Sequence, residues 1–153
     1  MIRPLGLGLC LLLLLAGNAS AQAACDTGSD RSKVDVAPDP VVFPNPTGMD
    51  FFVGWVMSGT VTIRVNPRGN RKSWTLCLAS DDLDMGGYGK PVSDLEWQVE
   101  GAGGWTPVDL ANQVVLQGDG RSNVLLRFRA LLFADRDAPG SYDAVLRFTA
   151  KGT

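Results

Sequence analysis

The stretch Ser58–Ser80 reads SGTVTIRVNPRGNRKSWTLCLAS, and its pattern decides the fold class. In the first half Val61, Ile63 and Val65 alternate with Thr60, Thr62 and Arg64. In the second half Trp74, Leu76 and Leu78 alternate with Thr75, Cys77 and Ala79. Successive side chains of a strand point to opposite faces, so each apolar trio shares one face. Asn66-Pro67-Arg68-Gly69 between them reads as a turn, with proline second and glycine fourth. The expectation is a hairpin of two antiparallel strands.

The same period continues downstream. Leu95, Trp97 and Val99 alternate in DLEWQVE; Gln113 to Gln117 is a short strand; Val124 to Phe133 is the longest candidate, with Leu126, Phe128, Ala130 and Leu132 on one face. SYDAVLRFTA closes the chain with Tyr142, Ala144, Leu146 and Phe148 inward. Upstream, Val34 and Val36 share a face in KVDVA. PDPVVFPNPTG is too rich in proline for a helix interior or a central strand, which leaves Val41 to Phe43 as a short edge strand. Thr47 is placed to cap one turn of helix, a turn that Gly48 weakens. Asp26 to Lys33 reads as loose polar chain. Glycine-rich turns separate the strands, and no segment holds a clean helical period. The prediction is an all-β protein, an antiparallel immunoglobulin-like β-sandwich of about seven to nine strands.

The first residues carry the parts of a secretory signal. Arg3 is followed by an apolar stretch with Leu11 to Leu15 and then by small residues, and Ala21-Gln22-Ala23 fits the A-x-A cleavage pattern. The expected division is a cleaved signal over 1–23 and one β-sandwich domain over 24–153. The apolar stretch is shorter than the ~20 residues a bilayer-spanning helix needs, and no later segment supplies one. Cleavage removes Cys10 and leaves Cys25 and Cys77, whose simplest use in an oxidising compartment is a disulfide. Closing a loop of that size is worth roughly 4 kcal/mol in the chain-entropy account. It would tie down a terminus that otherwise frays. The rival use of Cys25 is lipid attachment, which would leave Cys77 unpaired.

The chain has no histidine, and its formal net charge is −2. The first fact removes serine–histidine and cysteine–histidine dyads and histidine metal sites. The second gives no electrostatic reason to bind nucleic acid or an anionic membrane. No catalytic motif stands out, and the expectation is a protein that is not an enzyme.

Three constellations remain. Asp81, Asp82 and Asp84 in DDLDMGG resemble a fragment of a calcium loop, but the twelfth position counted from Asp82 is Ser93 where an EF-hand needs glutamate. The plainer reading is a solvated acidic loop. Among the tryptophans, Trp74 and Trp97 lie on the apolar phase of their strands. Trp105, among glycines, and Trp55, beside Gly54, are the candidates for an exposed platform that stacks a ligand ring. Arg127, Arg129 and Arg147 share an outward phase and would form a basic stripe if their strands pair; the plainer reading is a solvated face with cross-strand acidic partners such as Asp143.

The ending APGSYDAVLRFTA resembles the final hairpin of bacterial immunoglobulin-like domains, with Pro139, Gly140 and Tyr142 at a P-G-x-Y turn. There the tyrosine serves as a corner residue. The early cysteine, VVFP, SGTVTIRV and the G-S-Y-D ending together resemble secreted fimbrial-type sandwiches of the spore coat protein U kind. The chain departs from that pattern in carrying its second cysteine one strand later, in SWTLCL. SWTL is also similar to the tryptophan strand of WxL-type cell-surface domains. These resemblances imply an exported structural or adhesive protein, periplasmic, surface-bound or secreted. It would associate with other protein subunits, cell-surface components or its own copies, VVFP and the last strand from Tyr142 to Ala150 offering edges for β-augmentation. The alternative is a secreted ligand-binding module for glycan or calcium.

Overall fold

The computed structural model describes residues 16–27, 29–30, 32–68, 72–86, 89–137 and 140–152. The apolar leader with Cys10, Gly69 of the expected turn and Pro139 of the P-G-x-Y turn lie outside the described residues.

The protein is an all-β structure whose paired strands are all antiparallel among the described residues. One sheet runs β1 (Ser29–Asp30), β12 (Leu146–Gly152), β5 (Ser73–Ser80), β10 (Gln113–Asp119). The other runs β2 (Ser32–Ala37), β4 (Val61–Pro67), β11 (Ser122–Leu131), β8 (Leu95–Val99), β9 (Thr106–Pro107). In it β3 (Trp55–Met57) pairs with Arg129–Leu131, beyond the stretch of β11 that β4 covers. A small ladder joins β6 (Asp84–Met85) to β7 (Lys90–Pro91). The strands thus number twelve among the described residues, four of them only two residues long (β1, β6, β7 and β9), where seven to nine were expected.

The core is where the alternation places it. Val61, Ile63 and Val65 of β4, Val124, Leu126 and Phe128 of β11, and Leu95 and Trp97 of β8 come from one sheet. Trp74, Leu76 and Leu78 of β5, Val115 of β10 and Ala150 of β12 come from the other. Val34, Val36, Tyr142, Ala144, Leu146 and Phe148 pack against this cluster partly buried. Gly118 sits against Trp74, where a Cβ would come within 2.5 Å of the ring. The indole Nε1 of Trp74 donates to the Gly120 carbonyl at 2.7 Å.

The expected hairpin is absent. Strands β4 and β5 lie in different sheets. Alternation is blind to this difference, because both apolar trios face the interior whether the strands are neighbours or stand opposite each other. Strand β5 is instead an interior strand between β12 and β10, and its second face is closed as well: Thr75, Cys77 and Ala79 are fully buried. Helix α1 (Ala16–Thr27) lies against β5, β10 and β12. Its small residues were expected to be signal, and the expected cut after Ala23 falls inside the helix, on the N-terminal side of Cys25.

Other expectations also change. Asp26 and Thr27 end α1, and the chain then passes through β1 in one sheet to β2 in the other, so this polar segment is not loose. Val41 to Phe43 form no strand; Val41 and Phe43 pack on the core from an irregular segment. The last strand begins at Leu146 and not at Tyr142.

Between β3 and β4 the ladder along β11 is interrupted at Ser58. Its backbone N–H donates to the Phe128 carbonyl at 2.9 Å, and its Oγ accepts from the Phe128 N–H at 3.1 Å. The hydroxyl thus satisfies a buried donor that the interruption would leave bare.

Candidate functional site

Three places on the sandwich present chemistry beyond packing. The first is helix α2 (Gly48–Val53), a single short helix just before β3. It forms despite Gly48 because its start is closed twice. Thr47 accepts from the Asp50 N–H, and the Asp50 carboxylate accepts from the Thr47 N–H at 2.7 Å, a reciprocal capping box. These hydrogen bonds hold the Asp50 carboxyl below the ordinary aspartate value, its bond with the Thr47 side chain first and that with the Thr47 backbone second. Gly54 ends the helix in the left-handed conformation, φ 90°, which a side chain would resist.

None of the residues of α2 is buried. Phe52 is 86% exposed, Met49 67% and Val53 49%, and Val42 on the preceding segment is exposed too. Single exposed apolar residues are ordinary; α2 presents a phenylalanine, a methionine and a valine within one short capped helix.

The second place is a buried charge cluster. The Lys90 side chain is 3% exposed and that of Asp137 4%. Lys90 Nζ lies 2.6 Å from Asp137 Oδ2 and 3.2 Å from Asp94 Oδ2. Asp94 is brought back to Lys90 by a short 3-10 helix, Val92–Asp94, and also pairs with Arg136. The Asp137 Oδ2 atom accepts from the Phe133 N–H at 2.9 Å. The Nζ atom also faces two rings, Phe133 with its centroid at 5.4 Å and Tyr142 at 5.8 Å. Sequence reasoning missed this cluster because 47 residues separate Lys90 from Asp137. The only local signal is the four-residue spacing of Lys90 and Asp94.

The third place is the loop with Asp81, Asp82 and Asp84. Asp81 pairs with Arg147, and Asp82 Oδ2 accepts from the Val145 N–H at 2.6 Å. Asp84 is exposed at the start of β6. Two of the three carboxylates thus hold the approach to β12 in place, and no group of three acidic, histidine or cysteine side chains among the described residues is arranged to hold a metal ion.

The tryptophans divide as expected in part. Trp74 and Trp97 are buried. Trp105 is half-buried, with the Arg129 guanidinium 4.6 Å from its ring centroid. Trp55 is half-buried in β3. The basic stripe does not form, because Arg127 and Arg129 lie on β11 and Arg147 on β12, in opposite sheets. Each arginine pairs with a carboxylate: Arg127 with Glu100, Arg129 with Glu96 and Arg147 with Asp81.

Cys25 of α1 and Cys77 of β5 are joined by a disulfide, the use of the two cysteines expected from their count. No helix among the described residues is long and apolar enough to cross a membrane. These features define a disulfide-tied all-β sandwich. No protein-family model matches the chain, and no curated protein is similar to it.

Proposed function

We propose that this is an exported structural or adhesive protein that acts by protein–protein association on a bacterial coat, appendage or envelope, in the manner of the fimbrial-type and spore coat protein U-like sandwiches its sequence resembles. The observation that carries this reading is the exposed apolar helix α2, held rigid by its Thr47–Asp50 capping box and by Gly54. Burying a large apolar side chain is worth about 1.5–3 kcal/mol, so Met49, Phe52 and Val53 form a compact anchor for another subunit. The Cys25–Cys77 bridge supports export, since such bonds persist in oxidising compartments. The cut after Ala23 would leave that bridge intact.

Sedimentation of the exported domain over a wide concentration range tests the reading, with Phe52→Ser beside wild type. Association that rises with concentration and is lost in the variant supports it. Equal behaviour of the two proteins, as strict monomers or as oligomers, counts against α2 as the anchor.

A further inference from the structure

We propose that Lys90 and Asp137 condense into an internal amide, a covalent cross-link between β7 and the turn after β11, with Asp94 as the proton carrier. Three features of the site lead to this assignment.

The first is proximity. The Lys90 amine is held 2.6 Å from one carboxyl oxygen of Asp137, with both side chains almost wholly buried. Groups held at such separation, away from water, react as though at very high concentration. Water is the species that would reverse the step, and the two reacting side chains offer it little surface.

The second is the set of groups around the pair. Asp137 Oδ2 accepts the Phe133 N–H at 2.9 Å. A fixed backbone donor on the oxygen that becomes the amide carbonyl is the arrangement that stabilises a developing oxyanion. Asp94 Oδ2 lies 3.2 Å from Nζ, on hand to take its proton.

The third is charge. Before the step, two cations, Lys90 and Arg136, face two anions, Asp94 and Asp137. Burying an ion pair carries a desolvation penalty for each ion. Condensation removes the most buried pair, Lys90 and Asp137, and leaves Asp94 with Arg136, so the site stays balanced.

The step itself balances without a co-reactant. The Lys90 ammonium passes a proton to Asp94, and the neutral amine attacks the Asp137 carboxyl carbon. The new C–N bond forms as the bond from that carbon to Oδ1 breaks. Oδ1 leaves as water, carrying the proton returned by Asp94 and a second one from the nitrogen. No atom is oxidised or reduced.

Intact mass of the purified exported chain, read after the disulfide is reduced and with the N-terminus sequenced, tests the cross-link independently of any association through α2. The expected mass is one water below that of the sequence. A proteolytic digest should then yield a branched peptide joining the Lys90 and Asp137 segments. A full sequence mass, or a water loss traced to other residues, overturns the proposal. Lys90→Arg, checked for folding by circular dichroism, should restore the full mass; a folded variant still one water short overturns it. Asp94→Asn keeps both reacting groups and should slow the condensation at least tenfold during refolding; an unchanged rate removes Asp94 from the step.

Discussion

Cys25 and Cys77 are bonded with their Cα atoms 5.8 Å apart, which fastens helix α1 to β5, an interior strand of the four-stranded sheet. The bridge reaches Cys77 on the face of β5 that looks away from the core, and Cys77 is fully buried there. A sequence separation of 52 makes the closed loop long. Chain entropy then assigns the bond about 4 kcal/mol. The Cys25→Ala/Cys77→Ala variant should lose about that much unfolding free energy and so unfold at lower urea concentration. Urea titrations of wild type with and without reductant check it; coincident curves would show that the bond contributes nothing.

Gly118 permits the approach of Trp74. A Cβ there would stand 2.5 Å from ring carbon Cζ2 of a fully buried tryptophan. The ring has nowhere to retreat within the core, so Gly118→Ala should cost roughly 1–3 kcal/mol, the usual range for overpacking. Thermal unfolding measures it. Gly103→Ala, where a Cβ meets nothing within 4 Å, is the control and should leave the midpoint near wild type.

The Asp50 carboxyl should report on α2 directly. Its pKa is lowered in the folded protein, so its contribution to stability is present above the ordinary aspartate value. That contribution is lost as pH falls through the lowered folded value. Carboxyl-carbon NMR should place the Asp50 midpoint below that of an ordinary aspartate, and the protection of the Gly54 N–H, bonded to the Asp50 carbonyl at 2.7 Å, taken relative to the intrinsic exchange rate at each pH, should fall once Asp50 is protonated. Asp50→Ala should give the low protection at every pH.

Trp105 serves the fold through Arg129. The guanidinium stands over its ring while also pairing with Glu96. Trp105→Ala should therefore cost about 0.5–2 kcal/mol of stability, the range for a cation over an indole. On a glycan array the same variant should behave as wild type. A loss of sugar binding without loss of stability would instead make Trp105 a ligand platform.

Much of this protein can be read from local pattern. Period-two alternation placed Val61, Ile63, Val65, Trp74, Leu76, Leu78, Leu95, Trp97, Leu126 and Phe128 inside, and all are buried. Thr47 was legible as a cap. The cysteine count paired Cys25 with Cys77, and the all-β class followed from the strands and turns. The lost hairpin and the lost arginine stripe share a cause. Alternation says which way a side chain points relative to its own strand, and nothing about which strand lies beside it.

The partners of each strand therefore had to come from the tertiary structure. It set β4 and β5 in opposite sheets, and so separated Arg147 from Arg127 and Arg129. It covered the second face of β5 with α1, and brought Lys90 to Asp137 across 47 residues. A strand's own residues determine its direction of burial, because that depends on a repeat of two. Sheet membership and the meeting of distant charges depend on how all the apolar faces close over one interior, a property of the whole chain.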